Sequence, residues 1–314
     1  MAFASFSPVD IDEMLSQLAT WTSTALGWTS NWSGGQLTLE PKVGEAVFTL
    51  SSEPDSYLDT GVPQLVLLTS EGTESFETVL SHVYSTSVCW LFGGAEPEPW
   101  LHIIIQVTPG TYRHAYLGYL ERYGTWTGGA ICDANQVGRL HASTSTSAQY
   151  YAFDHAHSHT LFSQESYWEY GRPVARLGGV MVGGHGEAGQ KGHARFGNFD
   201  NSTHRVPLDT PVAGGGPVEN YAQAVANPGV APYSGEAPLA PITIFADITR
   251  NGNWTPLGRV CGIRLVNIDD FSPEQEIAYA GRTWRVFPLV RKPPSTTYEP
   301  HSGNRGIALL QDEA

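Results

Sequence analysis

The chain has 314 residues, enough for one large or two modest domains around a substantial core. It carries 31 acidic against 17 basic residues, a net charge of -14, which argues against non-specific nucleic-acid binding because that affinity comes mainly from cations displacing phosphate counterions. Its three cysteines, Cys89, Cys132 and Cys261, show no CxxC spacing, which speaks against a disulfide framework or zinc knuckle and for buried thiols in a reducing compartment. Charged residues make up only 15% of the chain, a proportion that predicts a surface largely covered by other subunits. The opening Met1-Ala2-Phe3-Ala4-Ser5-Phe6 has no basic residue ahead of an apolar run, so no secretory signal is expected there. No stretch reaches the roughly 18 apolar residues of a membrane span. The expected location is the cytoplasm, unless a larger particle carries the protein out.

The first predicted element is a helix. Ser7-Pro8-Val9-Asp10 offers a hydroxyl cap, a proline at the first helical position and an acid near the positive helix end. Ile11, Met14, Leu15, Leu18, Trp21 and Ala25 follow at helical spacing, and Gly27 supplies the stop, giving an amphipathic helix of about five turns. Short strands are predicted next at Gln36 to Glu40, Ala46 to Leu50, Gln64 to Leu68 and Trp100 to Val107, split by Gly, Pro and Asn. Ile103, Ile104 and Ile105 in succession mark the last as buried on both faces. The stretch Thr78 to Phe92 fits both periods, and its Thr, Val and aromatic content favours strand.

From about Ala142 to Pro241 the periodicity fails among glycines and prolines, yet Tyr167, Trp168, Tyr170, Phe196, Phe199, Tyr221 and Tyr233 supply aromatic anchors that a flexible spacer lacks. Long arms reaching over adjacent subunits satisfy both observations. Strands resume at Pro241 to Asp247 and Val260 to Ile268, and close with Trp284 to Pro288 and Gly306 to Leu310. The expected fold is α+β, mainly antiparallel β with one N-terminal helix: a helix and β core over 1–141, an irregular region over 142–240, and strands over 241–314 that complete the core.

Candidate chemistry centres on Asp154-His155-Ala156-His157-Ser158-His159. In an extended chain His155, His157 and His159 share one face about 7 Å apart, the start of a metal site. A catalytic metal needs further ligands, and Asp154, His141, His185, His193 and Asp200 compete for that role with none compelled. A polar loop at a subunit contact, sensitive to protonation near roughly pH 6, is the preferred account, with a structural staple ahead of a catalyst if metal binds. Gly183 to Gly192 lacks the lysine and hydroxyl order of a phosphate loop, and there is no Gly-x-Ser-x-Gly elbow. The acids Asp269-Asp270 and Glu96-Pro97-Glu98 read as solvated turns ahead of a glycosidase pair. Of the nine tryptophans, Trp21 is assigned to the core, while Trp28, Trp32, Trp126 and Trp168 are interface candidates, with sugar stacking the lesser use.

Two segments carry a family resemblance. His114-Ala115-Tyr116-Leu117-Gly118-Tyr119-Leu120-Glu121-Arg122-Tyr123-Gly124-Thr125-Trp126-Thr127-Gly128-Gly129 resembles a stretch in structural proteins of tailed-bacteriophage virions. Gly281 to Pro288, followed by His301 to Ala308, is similar to the closing pattern of such proteins. The resemblance also takes in the Ser-Pro helix start and Gly27-Trp28, and loosely covers about half the chain. It implies a non-enzymatic ring subunit of the neck or tail-completion region, with the baseplate or tail tip as the alternative position. The implied partners are further copies of the chain and other virion proteins, with DNA at most passing through the lumen, no membrane span and no cofactor. His114, Gly118, Trp126, Trp168 and Phe287 are the expected packing or interface residues. A metal-dependent hydrolase built on the histidine run, and a glycan- or receptor-binding module, remain as rivals.

Overall fold

The computed structural model describes residues 1–54, 63–71, 74–80, 88–125, 127–134, 164–169, 172–177, 193–197, 203–205, 237–247, 254–288 and 305–313. Its elements are β1 (Ala2–Phe6), α1 (Ile11–Ala25), β2 (Thr29–Ser33), β3 (Gln36–Glu40), β4 (Val47–Pro54), β5 (Pro63–Glu71), β6 (Glu74–Leu80), β7 (Val88–Gly94), β8 (Trp100–Thr108) and β9 (Thr111–Arg122). There follow β10 (Thr127–Ala134), β11 (Gln164–Glu169), β12 (Arg172–Leu177), β13 (His193–Gly197), β14 (Thr203–Arg205), β15 (Ala240–Asp247), β16 (Trp254–Asn267), β17 (Glu276–Tyr279), β18 (Arg282–Pro288) and β19 (Arg305–Glu313). The described chain is therefore mostly antiparallel β with one helix, in agreement with the expected class. Among the described residues no helix is long and apolar enough to cross a membrane.

Helix α1 starts later than the Ser-Pro signal suggests. Asp10 is the cap and accepts the Glu13 amide at 2.7 Å, while the Glu13 carboxylate accepts from the Val9 amide at 2.7 Å. Residues 2–6 are committed to β1, so Ser7 and Pro8 form the link into the helix. The 15 residues make about four turns, ended where Gly27 takes φ +68 and the Trp28 amide returns to the Thr22 carbonyl at 3.2 Å. Met14, Leu15 and Leu18 are fully buried, each contributing roughly 1.5–3 kcal/mol by leaving water.

The main sheet runs β1-β7-β8-β9-β16-β19-β18-β17, with β10, β13, β14 and β15 branching from it, and β2 to β6 form a separate meander. The main sheet folds over, so its two halves share a core. Trp90, Phe92, Trp100, Ile104, Tyr112, Tyr116 and Leu120 from β7–β9 pack against Val260, Ile263, Leu265, Phe287, Ile307 and Leu309 from β16, β18 and β19. The alternate residues Leu91, Leu101, Ile103, Ile105, Leu117 and Tyr119 face the other way, onto α1 and β2–β4. A strand between two apolar layers must be apolar on both sides, which accounts for the isoleucine run in β8. A third cluster with Val266, Trp284, Val286 and Leu310 lies on the outer face of the C-terminal half.

Several elements depart from the expected pattern. Strands β1, β2, β9, β10 and β17 are absent from the expected set, and β16 begins six residues before the expected Val260. Between Thr78 and Phe92, β6 ends at Leu80 and β7 begins at Val88. Within the region expected to be irregular, β11 pairs with β12 and β13 pairs with β10 and β14. Most of residues 142–240, on which the expectation of arms rests, lies outside the described residues.

Candidate functional site: a buried histidine pair

The fold-over brings two histidines together at the seam between layers. Strands β8 and β9 form a hairpin in which His102 lies opposite Tyr116 and Ile104 opposite His114, so the two imidazoles are diagonal neighbours on one face. Both side chains are fully buried. His102 Nε2 is 3.1 Å from His114 Nδ1, and His114 Nε2 is 2.9 Å from the Pro288 carbonyl oxygen of β18. A carbonyl only accepts, so His114 carries its proton on Nε2 and presents a lone pair at Nδ1. His102 must then donate from Nε2, and the hydrogen-bond chain assigns both tautomers.

Burial opposes charge on both rings. It holds His102 well below the ordinary imidazole range, with the neighbouring His114 adding to the effect. His114 is lowered to about 3, mainly by burial; the bond to Pro288 works in the opposite direction and the Arg113 charge in the same one. Phe287 closes the seam, with its ring centroid 5.5 Å from Tyr112, 5.6 Å from Trp90, 5.9 Å from Phe92 and 6.5 Å from His114.

A second polar link crosses nearby. Glu274, at φ +68, accepts from the Tyr112 hydroxyl at 2.7 Å and from Gln106 Nε2 at 3.4 Å. The Glu274 amide donates to the Val286 carbonyl at 2.7 Å. Burial and the Glu274 carboxylate raise the Tyr112 hydroxyl above the ordinary phenol range. Both links fasten β8 and β9 to the β17–β18 region.

The resemblance-bearing residues occupy this seam in part. His114 and Phe287 are buried within it. Gly118 lies where β9 passes the start of β8: a Cβ there would come within 2.5 Å of the Pro99 carbonyl oxygen, and the Tyr119 amide donates to that same oxygen at 2.9 Å. Trp126 lies outside the described residues, and Trp168 is placed by its backbone in β11 opposite Pro173. Trp28, expected at an interface, is instead 4% exposed in the core with α1 and β2–β4, because the helix-terminating turn folds it back under the helix. Trp32 and Trp21 are partly buried against the same core.

The histidine run His155, His157 and His159 lies outside the described residues, as do Asp154, His141, His185 and Asp200 and the glycine-rich stretch 183–192. Among the described residues no group of three His, Cys, Asp or Glu is arranged to hold a metal. Asp269 and Asp270 are exposed in a turn, and Glu98 bonds Lys42 and Arg122, the latter at 3.2 Å. Cys89 and Cys261 are buried, free thiols, and burial pushes Cys261 up to about 12, far from an activated thiolate. At the seam, the neutral histidine pair and the Tyr112–Glu274 bond tie apolar layers together. Comparison with protein-family models and with curated proteins finds no match.

Proposed function

We propose that this chain is a structural subunit of a tailed-phage virion, assembling as a ring in the neck or tail-completion region. The observation that carries this is the use of the resemblance-bearing segments: His114 to Arg122 forms β9, and residues 282–288 and 305–308 lie in β18 and β19. The role of these segments in the fold is packing, because His114, Phe287, Ile307 and Ala308 are all buried.

Strand edges supply means of joining neighbours. In the strand order β1 and β17 end the main sheet and β2 and β6 end the meander, and an edge strand offers unpaired backbone groups to another chain. A ring is a head-to-tail contact in which one patch meets a different patch on the next copy. The net charge of -14 suits a subunit that lets DNA pass without holding it. The baseplate is the alternative position for the same kind of ring.

Native mass spectrometry of the purified full chain tests the assembly step. A closed ring, alone or with a neighbouring virion protein added, is the expected result. A compact monomer that joins neither its own copies nor virion proteins would overturn the proposal.

A further inference from the structure

We propose that the His102–His114 pair is an acid-operated clasp, closing the seam between the β7–β9 layer and β18 when neutral and loosening it when charged. The inference stands independently of the virion reading. Three strands contribute to one line of hydrogen bonds: His102 from β8 donates to His114 from β9, which donates to Pro288 of β18. Three of the four ring nitrogens have a defined role in that line; a proton entering at the fourth, His102 Nδ1, would keep the bonds but bury a cation between apolar layers.

A proton on His114 Nδ1 would set two N–H groups facing each other across 3.1 Å. Relief requires His102 to move its own proton from Nε2 to Nδ1, leaving one cation buried between apolar layers. A second proton removes even that arrangement. The surroundings do not favour a cation. From β9 the pair meets the neutral Tyr116 ring, 6.2 Å from His102, and feels the Arg113 charge at His114. From β16, Cys261 sits by Tyr116 with its thiol protonated. β18 contributes the Phe287 ring, and Trp90, Phe92, Ile242, Ile307 and Leu309 from β7, β15 and β19 complete the cluster without an ionisable group.

Glu274, at the rim of the seam, is bonded to Tyr112 and Gln106. It forms a second link to the same strands. Charging the pair would release β18 and, through its pairing, β17. Trp90, with its ring 5.6 Å from Phe287, lies close enough to report the change.

Hydrogen–deuterium exchange of the full chain from pH 8 to pH 4.5, corrected for intrinsic exchange rates, tests the clasp. Peptides covering 112–122 and 282–288 should lose protection by at least about tenfold, the effect of one proton linked over one pH unit. The double variant His102→Phe with His114→Leu should abolish most of that loss while remaining protected at pH 7. If the double variant does not fold, imidazole nitrogen spectra of the wild-type chain decide the matter: two of the eleven histidines should stay neutral, with the proton on Nε2, at pH 6. Protection that ignores acid, a double variant with unchanged acid response, or eleven histidines that all titrate near the ordinary imidazole value would overturn the clasp.

Discussion

Replacing Phe287 with alanine removes the ring on which four others converge. Trp90, Phe92 and Tyr112 lie within 5.9 Å of its centroid and His114 lies at 6.5 Å, all but the tilted Trp90 and Tyr112 pair meeting around it edge to face. Phe→Ala at a fully buried site costs about 3–5 kcal/mol, and the well-packed layers on both sides leave little room for collapse. We expect about 4 kcal/mol, and a fall in the thermal midpoint of roughly 6 °C. Phe287→Leu, which keeps much of the volume, should cost about 1.5 kcal/mol or less. Urea denaturation followed by tryptophan emission measures both, with far-UV circular dichroism checking that the transitions coincide. A loss below about 0.5 kcal/mol for Phe287→Ala, the range of ordinary surface substitutions, would refute the placement of this ring at the seam.

Three further outcomes follow from the same geometry. Gly262→Ala should destabilise by about 2–5 kcal/mol, because its Cβ would fall 2.1 Å from Trp100 Cζ2 at φ +69, whereas Gly281→Ala at φ +71 meets nothing within 4 Å and should cost only about 1–2 kcal/mol; equal losses by calorimetry would contradict the close approach. Stability should be complete above the unfolded imidazole value of 6.5 and fall with acid down to about 3, since the unfolded chain binds protons that His114 refuses, at about 1.4 kcal/mol per pH unit for that residue; a flat denaturation midpoint between pH 7 and pH 4 would contradict this sign. Asp10→Ala should cost about 1 kcal/mol through loss of the Glu13 amide bond, while Ser7→Ala should be nearly neutral, and the reverse order would restore the earlier helix start.

Local pattern carried much of the fold. The alternation of Gln36 to Glu40 reproduces the bounds of β3, and Ile103 to Ile105 correctly marks β8 as covered on both faces. β9 was harder to read because Arg113 and His114 interrupt its apolar faces, although both are buried. β1 is five residues long and pairs with β7 some ninety positions later, so nothing local announces it. The histidine pair was hidden for a related reason: His102 and His114 become neighbours only through the hairpin register and meet Pro288 only through the fold-over. Three histidines in one short run drew attention instead, although spacing alone supplies no partner strand. Trp28 illustrates the opposite error, since a loop-like context concealed a turn that buries the ring.

Electron cryo-microscopy of the intact particles that the proposed role requires to contain this chain tests that role most directly. The expected result is a closed ring at the neck, each subunit showing the folded-over sheet with α1 packed on its β7–β9 half. Finding the chain absent from purified particles, or present only as isolated copies with no contact between them, would contradict it.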